Sequence, residues 1–171
     1  MNLIKKLADA IDWLTDRVGR IVSVLILALI VSMTYEVAAR YLFNAPTKWS
    51  YDLSYMIGDS MMLLGTGYAL LHGAHVRVDL LYERFPTRVK YLIDTVLICG
   101  VFFPLVGILT HRAFRQALVA LERGTRSDFG IWMPLMWPFR FALAIGFALL
   151  LIAGISWLLK CVIGLKEEVS R

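Results

Sequence analysis

The fold is decided between Thr34 and Asp79, where the chain reads TYEVAARYLFNAPTKWSYDLSYMIGDSMMLLGTGYALLHGAHVRVD. This stretch predicts the end of one membrane helix, a tight turn marked by Asn and Pro, and a complete second membrane helix. A charged side chain in hydrocarbon costs roughly 2.5–3.5 kcal/mol on insertion scales. We therefore expect its embedded ionisable residues to be paired, capped by water or held by a partner chain, and these residues are Glu36, Arg40, Asp52 and Asp59.

Composition indicates a membrane protein. The 171 residues are 59% hydrophobic, and the mean hydropathy is +0.69, which is too apolar for a soluble domain of this size. A membrane helix needs about 20 apolar residues. We predict an all-α integral membrane protein with four transmembrane helices plus amphipathic interfacial helices, the spans being approximately 21–41, 50–71, 91–111 and 139–160. These spans leave no room for a soluble catalytic domain, so we expect no enzyme.

Residues 1–18 predict an amphipathic helix. Apolar side chains recur there with helical spacing, and Lys and Asp residues form the opposite face. This pattern is typical of a helix that lies in the membrane interface. The alternative is a soluble extension that packs on the bundle. The connection between the second and third spans predicts another short surface segment, which ends at Pro86.

The distribution of Lys and Arg predicts that both termini lie in the cytoplasm, because positive residues favour that side. The two tails and the second loop hold more of these residues than the other two loops. The third loop is nevertheless unusually basic, with Arg112, Arg115, Arg123 and Arg126. The net charge of +5 suits loops at a membrane surface, and we expect no nucleic-acid partner.

Two local pairings follow from helical spacing. Glu36 lies four residues before Arg40, so the two side chains can form an ion pair along one helix face. A proton-carrying role for Glu36 is the alternative. Asp52 lies at the start of the second span, where the helix dipole stabilises a carboxylate.

Small and polar residues form a stripe along the second span, and its members are Gly58, Asp59, Gly65 and Thr66. Such a stripe allows helices to approach closely and to form hydrogen bonds with each other. The stripe therefore predicts helix packing or subunit assembly.

Cofactor chemistry is not indicated. His72 and His75 are predicted at one end of the second span, whereas His111 is predicted at the opposite side of the bilayer, roughly 30 Å away. These histidines cannot all bind one iron. Neither a nucleophile–base pair, a Gly-rich phosphate loop nor a metal-binding Cys/His spacing is present in the sequence. We expect no cofactor and no metal.

Several short motifs occur in a recognisable order: Arg40-Tyr41-x-Phe43, Trp49-x-x-Asp52, Gly65, Tyr68-Ala69, Gly73 and His75-Val76-Arg77-Val78-Asp79. Together they resemble the small membrane (Q) subunit of tripartite ATP-independent periplasmic (TRAP) transporters. The resemblance extends over the chain in length and span count and is most specific between Arg40 and Asp79. Asp52 departs from the family, which commonly has Glu at this position.

The resemblance implies a scaffold in the bacterial inner membrane. The partner would be a large membrane transport subunit, which holds the substrate and sodium sites, and a periplasmic substrate-binding protein would deliver a small organic acid. Ion gradients rather than ATP would drive uptake.

On this basis we assign two hypothetical contact surfaces. The surface for the large subunit comprises Arg40, Trp49, Asp52, Gly58, Asp59, Gly65, Thr66, His75 and Asp79. The docking surface for the periplasmic protein comprises Arg112, Arg115, Arg123 and Arg126, which alternatively bind lipid headgroups.

Two other functions are compatible with four spans. One is an autonomous small exporter that uses Glu36 as a proton carrier. The other is a haem-bearing membrane anchor subunit.

Overall fold

The computed structural model describes residues 2–71, 87–128 and 130–169, and this part of the chain is helical apart from its connections. We number the α-helices in chain order: α1 Asn2–Leu42, α2 Ser50–Leu71, α3 Thr87–Leu97, α4 Phe103–Arg123 and α5 Trp137–Val169. A π-helical turn, Ile98–Phe102, joins α3 to α4. An isolated antiparallel bridge pairs Arg126 with Leu135 in the loop before α5. The predicted all-α class is confirmed.

The last helix forms the centre of the bundle. α5 contacts α1, α2, α3 and α4, and α2 packs against both α1 and α5. We call the end with the α1–α2 connection the turn end, and the end where α1 begins and α5 finishes the terminus end. At the terminus end Ser156 Oγ donates a hydrogen bond of 2.6 Å to Asp12 Oδ1, and Lys160 forms an ion pair with the same carboxylate. These bonds fasten the beginning of α1 to the final turns of α5.

Small residues bring the helices into close contact. A Cβ atom at Gly19 of α1 would lie 2.4 Å from the Tyr68 ring of α2. A Cβ atom at Gly146 of α5 would lie 2.9 Å from Leu63 Cγ of α2. In a bilayer, helices associate through such close packing, because lipid tails are as apolar as the helix surfaces. α2 is therefore held on two sides, by α1 and by α5.

Three helices in the described part of the chain are long and apolar enough to cross a membrane: Ala8–Leu42, Leu92–Arg123 and Trp137–Ile163. They correspond to the first, third and fourth predicted spans. α2 covers the second predicted span, Ser50–Leu71, residue for residue. Its polar side chains lower its hydropathy, so crossing by α2 stays a prediction.

The N-terminal amphipathic segment, predicted as an interfacial helix, continues into the first span as one 41-residue helix. Ala8 and Thr15 are buried, at 3% and 1% exposure, and Asp12 is bonded to α5. The packing therefore agrees with the alternative of an extension that packs on the bundle. Contact of its outer face with a membrane surface stays a prediction.

Ion pairs mark two levels along α1. Arg20 pairs with Asp16, and Arg40 pairs with Glu36, in both cases one helical turn apart. The two acids are separated by 20 residues, which is about 30 Å along a helix. This distance equals the typical thickness of the hydrocarbon core.

The π-helical turn has a local cause. Pro104 lies in the first turn of α4, and a proline inside a continuous helix both removes an N–H donor and clashes with the preceding turn. The wider turn absorbs this clash, and the Phe103 N–H donates to the Ile98 carbonyl, five residues back. The helical path therefore continues from Thr87 to Arg123.

Candidate functional site

Glu36 organises the turn end. Arg40 donates to Glu36 Oε1 through Nε at 3.0 Å and through a terminal nitrogen at 2.6 Å. The backbone N–H of Thr47 donates to Oε2 at 2.9 Å, and the Thr47 hydroxyl contacts the same oxygen. The predicted Glu36–Arg40 pair is confirmed. Because Thr47 precedes α2, the carboxylate also joins the end of α1 to the start of α2.

The chain reverses between these helices over a few residues. Asn44 adopts a left-handed conformation with φ 51°, which Asn tolerates better than most residues. The Ala45 N–H then donates to the Ala39 carbonyl at 3.0 Å. Trp49 stacks on Tyr35, with 5.9 Å between ring centroids and an interplanar angle of 22°. An aromatic pair at this level is typical of a membrane–water boundary.

Asp52 lies in the first turn of α2, as predicted, but its side chain is enclosed by the chain itself. It is 1% exposed, and Ser127 Oγ donates to its Oδ1 at 3.0 Å. Within the described residues its Oδ2 has no hydrogen-bond partner. A Cβ atom at Gly130 would lie 2.1 Å from this oxygen, so the Gly130 backbone packs directly against the carboxylate.

The loop before α5 is shaped to make this contact. α4 ends at Arg123, and the residue that caps it, Gly124, has φ 57°. The Met136 N–H donates to the Thr125 carbonyl and the Ser127 N–H to the Pro134 carbonyl, both at 2.9 Å. These bonds fold the loop back over the start of α2. The loop is thereby fastened to the α1–α2 unit through Asp52.

One face of α2 is packed tightly against neither α1 nor α5, although Gly65 borders a cavity of about 270 Å³ that α1 also lines. Among the described residues, Cβ atoms at Gly58 and Gly65 would have no neighbour within 4 Å, and Met62, between them, is 76% exposed. Asp59 forms a hydrogen bond with Tyr55, one turn earlier. The Thr66 hydroxyl donates to the Met62 carbonyl at 2.7 Å. We call this surface the open face of α2; it contains the predicted stripe.

The open face extends towards the turn end. A cavity of about 290 Å³ lies there between α1 and α2, and its lining includes Arg40, Tyr51 and Ser54. Arg40 is therefore close to the open face, whereas Trp49 lies on the other side of the α1–α2 contact. Asp52 is buried by contacts within this chain, and its place on the predicted partner surface stays a prediction. His75 and Asp79 lie outside the described residues, as do His72 and the surface segment predicted before Pro86.

The four arginines of the basic connection are exposed. Arg112, Arg115 and Arg123 recur at helical spacing on one side of α4, and Arg126 follows in the loop. All four lie towards the turn end. Arg140 is oriented differently, because it donates to the Gln116 carbonyl at 3.4 Å. The arrangement forms a basic surface next to the loop that Asp52 holds.

In residues 2–71, 87–128 and 130–169, no three His, Cys, Asp or Glu residues form a group that could hold a metal ion. The described part of the chain therefore does not support a metal site. His111 is exposed on α4.

Sequence reasoning missed three partners at these sites. Thr47, Ser127 and Gly130 carry no motif, and Ser127 is 75 positions from Asp52. Asn44 and Pro46 are turn residues, so they predicted the chain reversal near Thr47. No sequence pattern predicted the contacts of Ser127 and Gly130.

Long apolar helices, a polar open face and ion pairs at both membrane levels define a multi-pass membrane protein. Residues 29–163 match the family model of the tripartite ATP-independent periplasmic transporters, DctQ component. Because the match covers most of the chain, this protein belongs to that family of small permease subunits of TRAP transporters. The family consists of transporter components and is not a known enzyme class.

A curated relative gives the same assignment. The chain is 27% identical over 66 residues to the sialic acid TRAP transporter small permease protein SiaQ of Vibrio cholerae serotype O1. The aligned part covers 39% of this chain and only 38% of that protein.

Proposed function

We propose that this chain is a scaffold that binds and positions the large membrane transport subunit of a TRAP transporter. The complex takes up a small organic acid, driven by a sodium gradient, after a periplasmic binding protein delivers it. The relative from Vibrio cholerae is named for sialic acid, which is itself an organic acid. The observation that carries the proposal is the open face of α2, where Gly58 and Gly65 have space beside them among the described residues.

The chemistry of the open face favours a protein partner over lipid. Gly58 and Gly65 leave room for a second helix to approach closely. Asp59 places a carboxylate on a helix whose other sides are packed, and a charge at membrane depth needs polar neighbours. Tyr55 supplies one of them. We assign the remaining contacts to helices of the large subunit.

The role requires α2 to cross the bilayer, which makes four spans. α2 has 22 residues and is therefore about 33 Å long. It begins at the turn end, where Asp52 meets the loop after α4, and runs back towards the terminus end beside Thr15 and Gly19. With both termini in the cytoplasm of a bacterial inner-membrane protein, the turn end faces the periplasm.

This orientation places the basic surface of Arg112, Arg115, Arg123 and Arg126 in the periplasm. A periplasmic binding protein with an acidic surface would find complementary charge there. The loop beside these arginines is fastened to α2 by Asp52, so the docking surface and the open face belong to one packed unit.

Replacing the glycines of the open face tests the proposal. We expect Gly58→Leu and Gly65→Leu to leave the isolated subunit folded, because both positions are open. Recovery of the large subunit in a pull-down from membranes should fall by about tenfold, the equivalent of roughly 1.4 kcal/mol. Gly107→Leu on α4, also an open position, is the matched control. Unchanged recovery and uptake in both glycine variants and in Asp59→Leu would contradict the assignment.

A further inference from the structure

The loop after α4 gives Arg126 a defined direction. Arg126 pairs with Leu135 across an antiparallel bridge, and a backbone hydrogen bond on each side flanks this pair. The two segments therefore form a short extended ladder. In such a ladder, successive side chains along each segment point to opposite sides.

Burial in the loop follows this alternation. Ser127 and Met136 face the protein, with exposures of 3% and 6%. Arg126 is exposed, and so is Leu135, at 45%. The buried hydroxyl and the exposed guanidinium thus belong to neighbouring residues that point in opposite directions. The direction of Arg126 therefore depends on what holds Ser127.

Asp52 holds Ser127. The Ser127 hydroxyl donates to Asp52 Oδ1 at 3.0 Å, and Asp52 is 1% exposed, so water does not compete for this bond. Hydrogen bonds to a charged acceptor are stronger than those between neutral groups. Gly130 closes over the same carboxylate from further along the loop, where the contact leaves no room for a Cβ atom. Two contacts therefore fasten the loop to the first turn of α2.

The other arginines of the basic surface are positioned differently. Arg112, Arg115 and Arg123 lie on α4, and the packing of this helix against α5 holds them in place. Arg126 comes after Gly124, whose left-handed conformation caps the helix. Helical geometry does not determine its direction, so the contact with Asp52 takes over that role.

We propose that Asp52 is a positioning residue for the docking surface: by holding Ser127 against the start of α2, it keeps Arg126 directed at the periplasmic protein. The inference rests on the docking role proposed above, and it adds a residue outside the basic surface that sets the affinity. The group that Arg126 binds on the periplasmic protein is a carboxylate, which matches a guanidinium in charge and shape.

A binding measurement tests this role. The purified membrane complex is placed in vesicles of phosphatidylcholine, which offer the arginines no anionic lipid, and is titrated with the periplasmic protein of the same transporter. Ser127→Ala should raise the Kd by about threefold, within the modest range of exposed ion pairs. Asp52→Ala should raise it at least as much. Ser32→Ala, at a buried serine of α1, is the matched control and should leave the Kd unchanged.

A double-mutant cycle separates positioning from a general loss of stability. Arg126→Gln should also raise the Kd by about threefold. Combined with Ser127→Ala it should weaken binding little further, because Arg126 no longer faces the partner in that background. Arg112→Gln on α4 should weaken binding by the same factor with and without Ser127→Ala, since independent sites contribute additively.

The cycle also distinguishes the two proposals. Additive losses from Ser127→Ala and Arg126→Gln, or an unchanged Kd in Ser127→Ala, would overturn the positioning role only. So would an effect of Arg112→Gln without one of Arg126→Gln. Failure of the Ser127→Ala complex to assemble would show a structural role instead. If neither arginine variant changes the Kd, the docking surface itself is wrong, and the positioning role falls with it.

Discussion

Asp52 and Gly130 meet at the turn end, where the loop after α4 closes over the start of α2. Burying a polar group without a hydrogen bond costs about 1–3 kcal/mol, and Asp52 Oδ2 has no such bond within the described residues. The helix dipole at the start of α2 offsets part of this cost. Sequence reasoning predicted the dipole contact from the position of Asp52. It did not find Ser127, because a contact between loops distant in sequence leaves no local pattern.

We predict that Gly130→Ala destabilises the protein. The new methyl group would overlap the Asp52 carboxylate, and overpacking of this kind costs about 1–3 kcal/mol. The loop must then move away from α2. Thermal unfolding in detergent measures the effect, and limited proteolysis of the loop shows where it acts.

The control for this change is Gly107→Ala, at an open helical position. It should be neutral or stabilise the protein by up to about 1 kcal/mol. If Gly130→Ala and the native protein have the same midpoint of thermal unfolding, the loop does not pack against Asp52.

At the scale of helices, the sequence predicted α2 to the residue, because Ser50 and the turn before it mark a clear boundary. It predicted a helix over residues 1–18 followed directly by a span at 21–41, and the structure joins the two through Asp16, Arg17 and Arg20. Charges at this point suggest the end of a span. In the structure Arg20 pairs with Asp16 one turn earlier, and such pairs support a helix. The charges therefore lie on a continuous helix.

The α1–α2 turn depends more on Glu36 than on Arg40. We predict that Glu36→Ala lowers the midpoint of thermal unfolding more than Arg40→Ala does, because it removes charged hydrogen bonds both to Arg40 and to Thr47. Arg40→Ala should cost about 0.5 kcal/mol, since its side chain is 56% exposed and exposed ion pairs contribute little. Thermal unfolding of the two variants measures the difference. A larger loss for Arg40→Ala would show that Thr47 does not hold the turn.

For the whole molecule, the sequence placed the predicted stripe on the second span, and among the described residues two of its members, Gly58 and Gly65, have space for a neighbour. Helical periodicity alone predicts which residues share a face. It does not say which face the rest of the chain covers, since that depends on how α1 and α5 pack. Asp52 and Gly58 illustrate the limit: both carry the sequence signals of a partner surface, and only Gly58 is open.

The basic surface at the turn end leads to a prediction about the assembled transporter. Arg123→Glu with Arg126→Glu should lower uptake at limiting concentrations of the periplasmic protein, because like charges oppose docking. The membrane complex should be recovered unchanged, and added salt should narrow the difference from the native protein. Arg17→Glu, also exposed but near the terminus end, is the control. Loss of the membrane complex itself would count against a docking role.

The central claim is that this chain binds a transport subunit and does not move a solute by itself. Both carboxylate oxygens of Glu36 are bonded within the chain, which argues against a free proton carrier. The decisive measurement reconstitutes the purified chain alone in lipid vesicles and follows imposed proton and sodium gradients with fluorescent indicators. We predict that both gradients decay as slowly as in empty vesicles. Faster decay that Glu36→Gln abolishes would contradict the account.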